Sequence, residues 1–212
     1  MKVVLAGATG LVGGEVQELL LKDSSFSKIT VYSRKPLEQS HPRLKVILGN
    51  LDELKSHQDE LQGDVFISCL GTTIKKAGSK ESFRKVDFDG VVELGQTAKA
   101  NGAKKFILVS AQGANSDSLF FYPRVKGEVE KALEDLGLPA LTIFRPALLV
   151  GERDDKRMAE EIAIKAYRLI SPFLPNTVKQ KIGTEVSRLA EQIVGEAKDF
   201  SAGVNIRSPQ DI

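Results

Sequence analysis

The chain has almost none of several things that would narrow its function by themselves. It has a single cysteine, Cys69, among 212 residues, so no disulfide can form within it, and the opening "MKVVLAGATG" lacks the apolar core and small-residue cleavage site of a secretory signal. A cytoplasmic location is the expectation from these two facts. Lys and Arg outnumber Asp and Glu by only 30 to 28, which gives no electrostatic case for nucleic acid or a membrane surface as partner. Apolar runs such as "FILV" at 106–109 are strand-length and broken by charge, too short to span a bilayer. The two histidines, His41 and His57, lack the partner spacing of a metal or catalytic site, and the acidic "ERDD" after Gly151 suits a helix start better than a cation, so no metal is expected. There is no repeat, low-complexity tract or Gly/Ser linker.

What is present has the composition of an ordinary folded protein, 42% hydrophobic and 27% charged. A chain of this length buries enough core to stand without staples, and one domain over 1–212 is expected. Nearly continuous apolar runs mark six strands: "KVVLAG", "KITVYSR", "LKVILGN", "DVFISCLG", "AKKFILVSA" and "ALTIFRPALLVG". Such runs suit strands covered on both faces. Helical candidates separate them: "LVGGEVQELLLK", "LDELKSHQDEL", "KESFRKVDFDGVVELGQTAKANG" and "YPRVKGEVEKALEDLG", the last two ended by C-capping glycines. This alternation predicts an α/β fold, a doubly wound parallel sheet with right-handed crossovers. After Gly151 the pattern changes to "RDDKRMAEEIAIKAYRLISPFL", then "TEVSRLAEQIVGEAKD" and a short strand candidate, "AGVNI". Residues 151–212 are therefore expected to supply a small helical cap and the last strand.

Between the first strand and its helix, "GATGLVG" sets Gly7, Gly10 and Gly13 at positions with separate mechanical uses: a tight turn, backbone approach to a pyrophosphate, and close packing of helix on sheet. Thr9, Leu11 and Val12 complete the loop and first helical turn, whose free N–H groups and positive dipole end would face the phosphates. Where an acidic residue at the end of the second strand would bond ribose hydroxyls, this chain carries Ser33, Arg34 and Lys35. An acid there repels a 2′-phosphate and a guanidinium clamps it, so NADP(H) is expected over NAD(H). Asn50 and Leu51 follow the third strand where an adenine would rest. Leu70, Gly71 and Thr72 follow the fourth, on the nicotinamide side.

Tyr122 and Lys126 are four residues apart in "FFYPRVKGEVE", hence on one face of a helix, with Pro123 tolerated in its first turn. An ammonium beside a phenol favours phenolate, which would bring the tyrosine toward the range of general acid–base work. Ser110 ends the fifth strand at the carboxyl edge, where its hydroxyl could bond a carbonyl oxygen. Cys69 reads best as a small buried hydrophobe, and the lysines of "TTIKKAGSKESFRK" as a solvated loop.

Through "GATGLVG", "CLGTTIKKAG", "VDFDGV", "SAQGANSDSLFFYPRVKGEVE" and "FRPALLVG", nearly the whole chain resembles the short-chain dehydrogenase/reductase superfamily, most of all its atypical branch containing the Tat-interacting oxidoreductase proteins. The resemblance implies an NAD(P)-binding Rossmann fold. It also implies roles: Ser110 orients the carbonyl, Tyr122 transfers the proton, and Lys126 binds the nicotinamide ribose while lowering the tyrosine pKa. The asparagine of many members, in the helix after the fourth strand, has Asp87 as its nearest equivalent here. The expected activity is hydride transfer between nicotinamide and a small carbonyl or alcohol. The alternative is an NADP(H)-sensing regulator acting through a protein partner without turnover, and a less favoured third reading is a sugar-nucleotide epimerase or dehydratase. A homodimer is the default among soluble oligomers.

Overall fold

The computed structural model describes residues 1–147, 149–150 and 184–212. The helix expected over 153–174, and with it most of the expected cap, lies outside the described residues.

The first unit pairs β1 (Lys2–Ala6) with α1 (Leu11–Lys22). β1 is buried from Val3 onward because both faces of the sheet are covered, and α1 turns Val12, Val16 and Leu20 inward at helical spacing. β2 (Lys28–Ser33) and β3 (Leu44–Leu48) follow, then a 3₁₀ segment, Leu51–Glu60. That segment starts with a capping box: the Asn50 side chain accepts from the Glu53 N–H and the Glu53 carboxylate accepts from the Asn50 N–H.

β4 (Val65–Ser68) leads into two short helices, α2 (Ile74–Ala77) and α3 (Lys80–Arg84), capped by Thr73 and Ser79. The chain then makes a π turn, Lys85–Asp89, before α4 (Gly90–Ala100). A single helix was expected over this stretch. Its interruption by wider i→i+5 bonding rotates Asp87 into the interior, where it is buried. β5 (Lys105–Val109), α5 (Phe121–Asp135) and β6 (Ala140–Phe144) complete the second half.

The sixth apolar run is longer in the sequence than in the sheet. β6 stops at Phe144, because Pro146 has no N–H to give a ladder, and a separate strand, β7 (Leu149–Val150), pairs in parallel with β8 (Thr184–Glu185). α6 (Val186–Glu196) packs against α1, and β9 (Gly203–Arg207) adds to β6 as the terminal strand.

Among the described residues, the main sheet has seven strands in the order β3-β2-β1-β4-β5-β6-β9, all parallel. One face buries a cluster shared by α1 and α6, around Val16, Leu20, Leu189 and Ile193. The other buries Leu94, Phe106, Val129 and Leu133 beneath α4 and α5. Each fully buried aliphatic side chain contributes roughly 1.5–3 kcal/mol. This is the doubly wound arrangement, a Rossmann-like α/β fold. Strand order reverses between β1 and β4, and at such a switch point the loops leaving the carboxyl ends diverge and open a crevice.

Candidate functional site

A cleft of about 690 Å³ opens at that switch point, bounded by the loop after β1, the end of β2, the turn after β3 and the loop after β4. Gly7 sits at φ +89°, and a Cβ there would lie 2.4 Å from the Cys69 carbonyl oxygen, so only glycine lets the two loops close on each other. Gly13 is held as tightly: a Cβ would lie 2.2 Å from the Gly7 carbonyl oxygen. α1 thus begins directly under the cleft, with Gly10 as an N-cap that offers no side-chain bond and no acidic residue in the first turn. Its N-terminal amides are left for an anion.

Thr9 and Gly10 line the cleft, whereas Val12 and Gly13 are buried beneath it and exposed Leu11 lies off its wall. Ser33 and Arg34 line the far end, while Lys35 does not; the Ser33 hydroxyl accepts from the Lys35 N–H. The Arg34 side chain is exposed, and no described residue pairs with it. Asn50 and Leu51 line the same end, and Leu70, Gly71 and Thr72 line the other. A glycine cradle, open helix amides and a free guanidinium fit a dinucleotide phosphate chain.

Tyr32 is a cleft residue that the sequence pattern did not single out. Its hydroxyl donates to the Asn50 carbonyl at 2.6 Å, and burial, with Glu53 nearby, pushes the phenol up to about 12. Inside an apolar strand it looks like core, which is why periodicity alone passes over it. Lys76 and Lys85 also line the cleft, and Lys85 pairs with Asp52 at 3.0 Å across its mouth. Cys69 is on the wall as well, and burial pushes its thiol up to about 12, away from the thiolate form.

Ser110, Tyr122 and Lys126 do not line this cleft. Tyr122 and Lys126 stand one helical turn apart on α5, and the Tyr122 ring meets Phe83 edge-on at 5.9 Å between centroids. Lys126 is buried and lies 2.7 Å from Asp87 Oδ1, an ion pair whose angle leaves that oxygen without an aligned donor. Asp87 Oδ2 accepts from the Thr72 N–H at 2.9 Å. Thr72, Asp87 and Lys126 therefore form a continuous link from the cleft wall to α5. Burial pushes the Asp87 carboxyl up, against the opposing pull of Lys126 and the Thr72 N–H.

The expected lowering of the tyrosine does not win. Desolvation pushes the Tyr122 phenol above its ordinary value, Lys126 pulls it down, and Asp87 adds to the upward push. The ammonium that the spacing promised to the phenol also faces the Asp87 carboxylate, which opposes it.

Ser110 is buried, and its hydroxyl donates to Glu130, two turns beyond Tyr122 on α5. Arg145 holds Glu130 from the other side, Nη2 to Oε2 at 2.5 Å. The loop between β5 and α5 crosses the helix at Gly127, where a Cβ would lie 2.1 Å from the Ser116 amide nitrogen.

Residues 7–165 match the family described as NAD(P)H-binding. The chain belongs to that family. Members similar to it include the protein HTATIP2 of Rattus norvegicus, 37% identical over 78% of this chain and 69% of that one. The FMP52 protein of Lodderomyces elongisporus is 35% identical over 93% of this chain and 90% of its own. The Bordetella bronchiseptica enzyme WbmH, solved in complex with NAD+, shares the fold at a TM-score of 0.73 and 19% identity, covering 98% of this chain and 74% of that one. The oxidoreductase ylbE of Lactococcus lactis does so at a TM-score of 0.69 and 21% identity, covering 98% and 90%. NAD(P)H binding is thus a family property of this chain.

The cytoplasmic expectation is overturned. The FMP52 relatives, from Lodderomyces elongisporus and Aspergillus clavatus among others, are named mitochondrial proteins. A lone cysteine and a missing secretory signal argue only against an oxidising compartment, and the mitochondrial interior is as compatible with both as the cytosol. Among the described residues, no helix is long and apolar enough to cross a membrane.

Proposed function

We propose that the protein is an NADP(H)-dependent oxidoreductase acting on a small carbonyl or alcohol, with Tyr122 as the proton-transferring group. The observation that carries this reading is the link from Thr72 on the cleft wall through Asp87 to Lys126. It ties the helix bearing Tyr122 to the nucleotide cleft. Hydride exchange at the substrate carbon is the chemistry that a bound nicotinamide would supply. Tyr122, 42% exposed, supplies or takes the proton at the substrate oxygen. Lys126, on the same helix face, would bond a ribose hydroxyl of the bound cofactor. Arg34 favours NADP(H) by offering charge-assisted bonds to a 2′-phosphate.

The test is NADPH oxidation against a broad carbonyl panel for the wild type and Tyr122→Phe, with NADPH binding followed by cofactor fluorescence. Turnover lost in the variant while binding persists is the expected result. Unchanged turnover removes Tyr122 from the chemistry.

The commitment of the Ser110 hydroxyl to Glu130 favours a second reading. In it, the protein binds NADP(H) without turnover and changes the affinity of a protein partner. A partner affinity that ignores cofactor removes that reading. The location that accompanies either reading is mitochondrial, after the names of the fungal relatives; fractionation of a tagged chain with the cytosol would count against it.

A further inference from the structure

The π turn at Lys85–Asp89 is the one place where the helical run between β4 and β5 changes its hydrogen bonding, and Asp87 is its buried residue. A buried carboxylate placed by a π turn needs compensation, since taking an ionised carboxylate out of water is costly. Here it receives the Thr72 N–H on one oxygen and the Lys126 ammonium on the other. Both ions are nearly solvent-free, with 5% of the Lys126 side chain and 1% of that of Asp87 exposed. Lys126 therefore presents Tyr122 with one member of a neutral pair, where its spacing on α5 would otherwise present a bare positive charge.

Among the described residues, the other charged groups named around this interface have partners of their own. From α3, Arg84 pairs with Glu128 of α5, and Arg124 of α5 approaches the same carboxylate at 3.7 Å. Lys80 lies over the Phe121 ring at 5.4 Å. Lys85 of the π turn pairs with Asp52. Further along α5, Glu130 pairs with Arg145. Among the described residues, Lys126 and Asp87 are the two charged groups acting on Tyr122, with opposite signs.

We propose that Asp87 is a positioning residue whose carboxylate neutralises Lys126 and so keeps Tyr122 a phenol, a proton donor, through the neutral pH range. The catalytic consequence rests on the oxidoreductase reading above. In reduction, hydride reaches the carbonyl carbon, the Tyr122 proton moves to the carbonyl oxygen, and a phenolate is left that water must reprotonate. In alcohol oxidation the phenolate is needed first. With Lys126 offset by Asp87, that form is scarce at neutral pH, so reduction runs there and oxidation rises only in alkali. Desolvation of the phenol works in the same direction.

The experiment reads the phenol directly. The chain has three tyrosines, so tyrosine labelled with carbon-13 at the hydroxyl-bearing carbon gives few resonances, and Tyr122→Phe assigns the relevant one. Its chemical shift is followed against pH in cofactor-free protein for the wild type, Asp87→Asn, Asp87→Glu and the double variant Asp87→Asn/Lys126→Met. At a fixed alkaline pH below the wild-type midpoint, Asp87→Asn should raise the Tyr122 phenolate fraction about tenfold, the effect of one unit of pKa. Asp87→Glu should return it to the wild-type value, and the double variant, which removes both charges, should cancel the increase. A purely structural role for Asp87 predicts no such rescue by charge.

Coincident titrations in the wild type and Asp87→Asn overturn the proposal, as does an increase that survives in the double variant. Should Asp87→Asn fail to fold, Lys126→Met compared with the double variant decides it: the retained Asp87 carboxylate must make the Tyr122 phenolate scarcer than in the double variant, and equal titrations overturn the proposal. The kinetic counterpart is the pH profile of kcat/KM with NADPH, whose alkaline limb should move to lower pH in Asp87→Asn. A tenfold rise in phenolate with no carbonyl reduced by any variant would support the coupling while removing the oxidoreductase reading.

Discussion

The Ser110 hydroxyl donates to the Glu130 carboxylate, and Arg145 grips the same carboxylate from the end of β6. Three elements, β5, α5 and β6, are thus joined at one buried point. Replacing Ser110 by Ala removes one of several bonds to Glu130 and should cost about 1 kcal/mol. Glu130→Gln strips the charge from the Arg145 bonds as well and should cost more, about 2 kcal/mol, the partial exposure of Arg145 limiting the loss. Urea denaturation checks both. Turnover abolished in Ser110→Ala at nearly unchanged stability would mean that the hydroxyl turns from Glu130 to the substrate on binding.

Gly13→Ala should be among the most damaging single changes in the nucleotide loop. Its Cβ would meet backbone, the Gly7 carbonyl oxygen at 2.2 Å, and backbone cannot swing aside as a side chain can. Overpacking of this kind costs about 1–3 kcal/mol. A lowered unfolding midpoint and loss of NADPH fluorescence enhancement are the expected readouts.

Arg34→Ala should weaken NADPH binding by about 10- to 100-fold, the equivalent of one charge-assisted contact, and leave NADH nearly untouched. Titration of both cofactors by fluorescence decides it. Equal losses for the two would assign Arg34 to something other than a 2′-phosphate.

At the opposite edge of the sheet, Lys105 is fully buried and bonds Glu196 at 2.7 Å and the Asp199 carbonyl at 2.6 Å, tying β5 to α6. Lys105→Met should destabilise by about 3–5 kcal/mol because it leaves Glu196 poorly compensated. Burial pushes the Glu196 carboxyl up, but the bonds from Lys105 and Arg207 outweigh it and hold the group below its ordinary value. A depressed carboxyl contributes stability that is complete above the unfolded value, about 4.3 for Glu, and fades as pH falls through the lower folded value. Denaturation midpoints measured down that acidic range should fall in the wild type, and less steeply in Glu196→Gln.

The strands and the glycine loop were legible because their determinants are local. An apolar run of five residues with covered faces can be little else than a buried strand, and Gly7 and Gly13 follow from the turn that joins such a strand to a helix. The end of the sixth strand was misjudged as a single run, although Pro146 marks the point where its ladder stops. The spacing of Tyr122 and Lys126 likewise fixes a shared helix face.

What faces that pair is a different matter. Asp87 lies 39 residues before Lys126 in the chain, and only a π turn, which leaves no periodic signature in "KVDFDG", rotates its carboxylate against the ammonium. Glu130 is two turns beyond Tyr122 on α5, but its hold on Ser110 depends on how closely the β5–α5 loop crosses Gly127. By itself the sequence determined which groups α5 carries and where the cleft opens, because helix and strand periods are set by neighbouring residues. Only the tertiary structure decided which charge offsets which, because electrostatic effects follow distance and burial, and these are set by elements far apart in the chain.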